Sequence, residues 1–170
     1  MSTREIEQAI PHRPPMRLID EICERDETSI VCQKTFSQDE FFVQGHFPDQ
    51  PIVPGVIQCE CCLQAGAVLL HQRMEQTPGS VPVATRMDNV KFKRMVRPGD
   101  TVQIHVTLND QLSNAFYLTG KMMLRGKLAM RLDFAVSITQ TDPSAGSTES
   151  AGSTESAGST ESAGSTEQKQ

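Results

Sequence analysis

The alternation of apolar and polar residues predicts a short helix, a hairpin, one long helix and four further strands. Near the N-terminus, MRLIDEICERD and SIVCQKTF have strand-like composition, and ERDET between them suits a hairpin turn. A short helix precedes them, opened by a capping box of Ser2 and Glu5 and ended by Pro11. Four later segments, separated by turn residues, are typical of successive antiparallel strands: VPVATRMDNVKFKRMV, TVQIHVTLND, AFYLTGKMMLRG and LAMRLDFAVSITQT. This order indicates an α+β domain in which one sheet covers one helix.

The long helix, predicted from about Gly55 to Glu75 with Pro54 at its opening, is apolar nearly all round. Between Val56 and Leu70 its strongly polar side chains are Gln58, Glu60 and Gln64. A helix without a polar face is buried on most sides. We therefore expect the sheet to wrap around it, with a second subunit as a candidate for covering the remainder.

The C-terminal residues 143–170 differ from the rest of the chain. After Pro143 they contain the hexapeptide SAGSTE four times without a break, followed by QKQ, and from Ser144 onward no apolar side chain is larger than alanine. Such a segment cannot bury enough surface to offset its chain entropy, so we predict one domain at 1–142 and a disordered tail at 143–170.

The net charge of the predicted domain is small. Its tail holds four glutamates and one lysine, so removing the tail changes the net charge from −5 to −2. A near-neutral domain argues against broad nucleic-acid binding. The chain has no apolar run long enough to span a membrane or to form a signal peptide, and we expect a cytoplasmic protein.

The cysteines raise the question of a metal site. Their number is odd, and without an export signal disulfides are not expected; they are Cys23, Cys32, Cys59, Cys61 and Cys62. Cys59 and Cys62 are three residues apart on the helix and could contact one ion. A zinc site needs about four ligands, however, and no second Cys/His pair stands at a usual spacing. Packing as small apolar residues is the favoured interpretation, with no metal.

Two ionisable residues are candidates for chemistry. Glu60 lies among apolar neighbours that leave it no solvated face, and a buried carboxyl group is costly to ionise and needs a partner. Gln64, one turn further on, could supply that hydrogen bond. His46 lies in SQDEFFVQGHFPDQPIVPG, a proline-rich loop whose apolar residues predict that it packs down, and it suits a general base near neutral pH. A satisfied core carboxyl group and a structural histidine are the alternatives.

A structural role is the expected one for the other histidines. His12 lies in a proline-rich turn, His71 near a helix end, and His105 on a strand without an acidic neighbour in sequence.

Three segments together resemble the 3-hydroxyacyl-acyl-carrier-protein dehydratases of bacterial fatty acid synthesis. These are PHRPPMRLIDEI, FFVQGHFPDQPIVPGVIQCECCLQAGAVL and MDNVKFKRMVRPGD, in the same order and spacing. The resemblance implies a hot-dog fold, a homodimer that often assembles as a trimer of dimers, and sites in which His46 of one subunit meets Glu60 of the other. In having glutamate at that position, the chain resembles the branch of the family that dehydrates without moving the double bond. Cys61, Cys62 and Leu63 replace the family's usual alanine, methionine and alanine, which bears on chain-length preference.

The implied reaction converts (3R)-3-hydroxyacyl-acyl-carrier-protein to the trans-2-enoyl product without a cofactor. His46 would remove a proton from the carbon next to the carbonyl, and Glu60 would protonate the departing hydroxyl. The N–H groups of Gly55 and Val56 at the helix start would hold the charge on the thioester oxygen, with Gln64 in support. Glycine at 55 would let the thioester approach the backbone closely.

A basic cluster is the candidate docking surface for the acidic carrier protein. It consists of Lys91, Lys93, Arg94 and Arg97. A solvated strand face explains the same residues equally well. Two other functions use the same fold class: an acyl-thioester hydrolase, and an acyl-binding protein without catalysis. The binding protein would need neither His46 nor Glu60.

Overall fold

The computed structural model describes residues 3–74 and 80–140. The elements are α1 (Thr3–Ala9), β1 (Glu21–Arg25), β2 (Ser29–Thr35), α2 (Gly55–Met74), β3 (Ser80–Phe92), β4 (Thr101–Leu112), β5 (Ala115–Leu124) and β6 (Lys127–Gln140). They follow the predicted order, and the prediction of one long helix with an antiparallel sheet is confirmed. Ser2 of the predicted capping box and the predicted tail at 143–170 lie outside the described residues.

The strand order differs from the predicted one. The six strands form one antiparallel sheet in the order β1-β2-β4-β5-β6-β3, so β3 pairs with β6 and not with β4. The turn at Arg97 to Asp100 does form, with the Asp100 N–H donating to the carbonyl of Arg97 over 3.0 Å. The chain enters this turn only after crossing the end of the sheet, where the Val53 N–H donates to the carbonyl of Val96. It then enters β4 beside β2, because residues 93–100 are a crossover and not a hairpin.

The helix α2 packs on one face of the sheet through closely approaching small residues. On β4 the side chains of Val102, Ile104 and Val106 alternate inward and are buried. A Cβ atom on Gly120 of β5 would lie 2.9 Å from the Cβ of Cys62, so only glycine permits this contact. The core therefore lies between α2 and β4–β5.

The loop before α2 is held from beneath by a buried cation. Lys34 of β2 is 8% exposed, and its Nζ lies 2.8 Å from a carboxylate oxygen of Glu40 in the loop. The prediction that the loop packs down holds for Phe42, which is buried, and was wrong for Phe41 and Phe47, which are about half exposed. The loop is thus anchored at one end and open near His46.

Strand β3 is the outer edge of the sheet beyond β6 and bears exposed apolar side chains. It has 13 residues, and none of its residues from 80 to 92 is fully buried. The exposed large apolar residues on it are Val83, Met87, Val90 and Phe92. A long edge strand with apolar side chains is a template for pairing with another chain. Within the described residues, no helix is long and apolar enough to cross a membrane.

Candidate active site

Glu60 lies in the second turn of α2 and lines a cavity of about 130 Å³. Its Oε1 accepts a hydrogen bond of 2.9 Å from the side-chain amide of Gln64. The expectation of full burial was wrong, because the Glu60 side chain keeps 26% exposure where it meets this cavity. A carboxyl group held from one side and open on the other can exchange a proton with a bound molecule.

Gln64 is the fixed point of this part of the site. It is 1% exposed, and its amide nitrogen also donates to the carbonyl of Met16 over 2.7 Å. Its carbonyl oxygen accepts from the backbone N–H of Leu18 over 2.8 Å. Both amide hydrogens are therefore committed, which fixes the direction from which Gln64 reaches Glu60.

His12 is a second neighbour of the acid that the sequence did not reveal. Its Nε2 lies 3.5 Å from Oε1 of Glu60, and the residue lines the same cavity. We expected only a structural histidine in a proline-rich turn. The available signal was its place in PHRPPMRLIDEI, one of the segments that carried the family resemblance.

His46 lines a different cavity, of about 420 Å³, at the start of α2. Its Nδ1 lies 3.2 Å from the carbonyl oxygen of Ile52, and its ring stacks on Phe47 at 4.3 Å between centroids. The peptide bond between His46 and Phe47 is cis. With Nδ1–H donating to the carbonyl, Nε2 carries the lone pair and is available as a base.

The first turn of α2 presents backbone N–H groups at the same cavity. Ile57 and Gln58 both donate to the carbonyl of Pro54, whereas no described residue accepts from the N–H groups of Gly55 and Val56. Unused N–H groups at a helix start favour a developing negative charge.

Gly55 has a packing reason that the sequence did not indicate. A Cβ atom at this position would lie 2.6 Å from Cζ of Phe92, so the ring of β3 already occupies the space above the glycine. Phe92 is half exposed and lines the His46 cavity.

Within one chain, His46 and Glu60 lie on opposite sides of α2. The His46 cavity borders the helix at Gly55 and Gln58. At about 100° per residue, Glu60 points roughly 140° away from Gly55 and roughly 160° away from Gln58. The two residues line separate cavities, so a single chain does not bring the predicted pair together.

The predicted basic cluster divides into two parts. Lys93 and Arg94 line the His46 cavity, and both donate backbone N–H groups to the carbonyl of Ala129. Arg97 lines a separate depression next to Arg125, and Lys91 lies beside Arg131 on the β3–β6 ladder. The positive charge at the His46 cavity therefore comes from two of the four residues.

The cysteines are free thiols, mostly enclosed by the core. Cys32, Cys59, Cys61 and Cys62 are buried, and Cys23 is exposed. Burial raises the pKa of Cys32 to about 12 and raises the pKa of Cys61 and Cys62 far above the ordinary range. Among the residues described, no group of three or more His, Cys, Asp or Glu is arranged to hold a metal ion.

Comparison with known families gives consistent matches. The family model described as ApeI-like, ApeI dehydratase, matches residues 22–127, which include His46 and Glu60. The dehydratase FabZ of Oenococcus oeni, a 3-hydroxyacyl-acyl-carrier-protein dehydratase, is 43% identical over 115 residues, or 67% of this chain and 82% of the relative. The enzyme of the same name from Clostridium perfringens strain SM101 is 41% identical over 108 residues, or 64% of this chain and 77% of the relative.

Solved structures share the architecture. A chain of the dehydratase heterocomplex ApeI:P from Xenorhabdus doucetiae superposes with a TM-score of 0.68 at 18% identity, covering 81% of this chain and 91% of that chain. The E. coli PaaI protein from the phenylacetic acid degradation operon gives 0.56 at 16% identity, covering 69% and 81%. These likenesses establish the fold alone, and the prediction of a hot-dog fold is confirmed.

Proposed function

Since the chain belongs to the 3-hydroxyacyl-acyl-carrier-protein dehydratase family, we infer that it removes water from 3-hydroxyacyl groups on acyl carrier protein in fatty acid biosynthesis. The observation that carries the chemistry is a carboxyl group held at one oxygen, Glu60, together with a histidine whose Nε2 is free, His46. These are the acid and the base that dehydration needs.

In the proposed reaction, Nε2 of His46 takes the proton from the carbon next to the thioester carbonyl. The electron pair of that C–H bond forms the double bond, and the bond from carbon 3 to its hydroxyl oxygen breaks. Glu60 gives its proton to the departing hydroxyl, so water leaves. Return of the proton from His46 to Glu60 through solvent restores the starting state. We assign the (3R) substrate and the trans-2-enoyl product to this site.

Negative charge gathers on the thioester oxygen as the proton leaves. In this proposal the N–H groups of Gly55 and Val56, at the start of a helix of 20 residues, donate hydrogen bonds to that oxygen and stabilise its charge. Because the ring of Phe92 lies over Gly55, a bound thioester must either pack beside that ring or push it aside. We propose that Phe92 forms one wall of the substrate cavity.

We propose that the complete site is shared between two chains. The separation of His46 and Glu60 across α2 supports this, because each cavity holds one member of the pair. The apolar edge strand β3 supplies the means, since pairing of two such edges extends the sheet and covers exposed Val83, Met87 and Val90. A trimer of three such dimers is the larger assembly we expect, and sedimentation analysis distinguishes two chains from six.

The acidic carrier protein is proposed to dock at the mouth of the His46 cavity. Lys93 and Arg94 are exposed there, where they can meet the carrier without entering the site. Contacts of this kind affect association more than chemistry. Lys91 and Arg97 lie outside this cavity, and in this proposal they add to the positive field that attracts the carrier.

Incubation with a 3-hydroxyacyl-acyl-carrier-protein tests the function. Enoyl product supports dehydration, free carrier thiol indicates a hydrolase, and unchanged bound substrate indicates a binding protein. His46→Ala and Glu60→Gln should each lower turnover at least about a hundredfold, within the range for loss of an acid or base. His105→Ala, on the outer face of β4, is the matched histidine control and should keep wild-type turnover. Either site variant retaining more than about a tenth of turnover contradicts the assigned roles.

A further inference from the structure

We propose that His12 is a positioning residue that holds Oε1 of Glu60 as a hydrogen-bond acceptor and so directs the acidic proton to Oε2. This inference rests on the proposed role of Glu60 as the acid. It assigns a function to a residue that lies in a turn far from α2 in sequence.

Two nitrogen atoms, that of Gln64 in a hydrogen bond and that of His12 in a longer contact, lie next to one oxygen of the carboxyl group. Nε2 of Gln64 lies 2.9 Å from Oε1 of Glu60, and Nε2 of His12 lies 3.5 Å from the same oxygen. No described residue donates a hydrogen bond to Oε2. A protonated carboxyl group has one acceptor oxygen and one O–H. The donors therefore make Oε1 the acceptor and leave Oε2 to carry the proton that the substrate hydroxyl receives.

The surroundings of His12 determine which of its nitrogens donates. Nδ1 is enclosed and has no hydrogen-bond partner. A proton on Nδ1 would be a buried N–H without an acceptor, which proteins avoid. The tautomer with its proton on Nε2 is the favoured one, and that nitrogen faces Glu60. A contact of 3.5 Å is long for a hydrogen bond, and catalytic contacts of this kind commonly shorten when substrate binds.

The turn that carries His12 is held in place by its neighbour. The guanidinium group of Arg13 donates to the carbonyls of Ile10, His12 and Glu7 at distances of 2.8–2.9 Å. Further along, Gln64 ties Met16 and Leu18 to α2. The imidazole is thus presented to Glu60 from a fixed segment, and both donors to Oε1 depend on that segment.

A pair of substitutions separates the two nitrogens. The amide nitrogen of glutamine can reach the position of histidine Nε2, whereas that of asparagine reaches only the position of Nδ1. His12→Gln should therefore keep kcat within about threefold of wild type. His12→Asn should lower kcat about tenfold, the decrease expected when one hydrogen bond is lost. KM should change less than about twofold in both, because the lost contact acts on the acid and not on substrate binding.

The experiment uses the full chain with a 3-hydroxyacyl-acyl-carrier-protein, and melting curves accompany each variant. His105→Asn controls for replacing a histidine elsewhere and should keep wild-type kcat. Equal kcat for His12→Gln and His12→Asn, whether high or low, overturns the proposal, as does a loss that appears only in KM.

Glu60→Gln in the same series separates this proposal from the proposed function. A fully active Glu60→Gln, or a wild-type protein that forms no enoyl product, contradicts the proposed function itself. An inactive Glu60→Gln beside a fully active His12→Asn leaves the function standing and removes only the role of His12.

Discussion

Mixing two inactive variants tests whether the site is shared between chains. His46→Ala keeps an intact Glu60, and Glu60→Gln keeps an intact His46. The two side chains border α2 on opposite sides and line separate cavities, and in our proposal a partner chain completes each site. In a dimer of the two variants, one site holds both intact residues and the other holds neither.

The magnitude follows from counting sites. Random exchange of equal amounts makes about half of the dimers mixed, each with one working site of two, so turnover should recover to about a quarter of wild type for independent sites in a twofold dimer. Each variant alone must retain less than about a hundredth of turnover for this rise to be clear.

The assay follows enoyl formation after subunit exchange, with native mass spectrometry of tagged chains to count the mixed dimers. Mixing either variant with the double variant His46→Ala/Glu60→Gln is the control, since none of its dimers contains a complete pair. If mixed dimers form and remain inactive, the two residues act within one chain and the shared-site proposal is wrong.

Three further predictions concern the core, the thiols and the loop. Gly120→Ala should lower the free energy of unfolding by about 1–3 kcal/mol in urea denaturation, because the new Cβ would lie 2.9 Å from that of Cys62; wild-type stability would show that α2 can shift off β5. A thiol reagent under native conditions should modify Cys23 alone, identified by mass spectrometry, without loss of turnover. The reaction should be slower than that of a free thiol at neutral pH and should speed up as pH rises, because partial burial and nearby acidic side chains raise the pKa of Cys23. Lys34→Met should lower the free energy of unfolding by about 1–3 kcal/mol and also lower kcat, because Glu40 is left without its cation beneath the His46 loop. Glu40→Gln, which removes the other charge of the pair, is the reference variant, and a Lys34→Met protein as stable as wild type would refute the anchoring role.

The local residue pattern predicted the helices and strands, whereas the strand pairing and the exposure of the site residues depend on long-range contacts that the pattern does not show. The alternation of Val102, Ile104 and Val106 is visible in sequence because a strand with one buried face has a period of two. The pairing of β3 with β6 is not visible in the sequence, since no residue pattern in either strand specifies which strand it pairs with. The exposure of Glu60 likewise depends on a cavity that forms only after the N-terminal segment folds back onto α2.

Contacts between sequence-distant residues account for what remained hidden at the site. Gln64 was predicted as a partner of Glu60 because four residues make one helical turn. His12 was not, since its approach to Glu60 depends on the path of the turn that Arg13 holds. The packing of Phe92 on Gly55 joins residues from β3 and α2 and has no signature in either segment.

The way Gln64 binds the N-terminal segment has an evolutionary consequence. Its contacts at Met16 and Leu18 are made to backbone atoms, so side chains at position 16, which is exposed, can drift without disturbing the link. Residue 64 has no such freedom, because both hydrogens of its amide are committed and an exchange to glutamate would replace a donor with an acceptor. An alignment of relatives should therefore show an invariant glutamine at position 64 and a freely varying residue at position 16. Because only one of the two contacting positions is constrained, analyses of co-variation between positions would miss this contact.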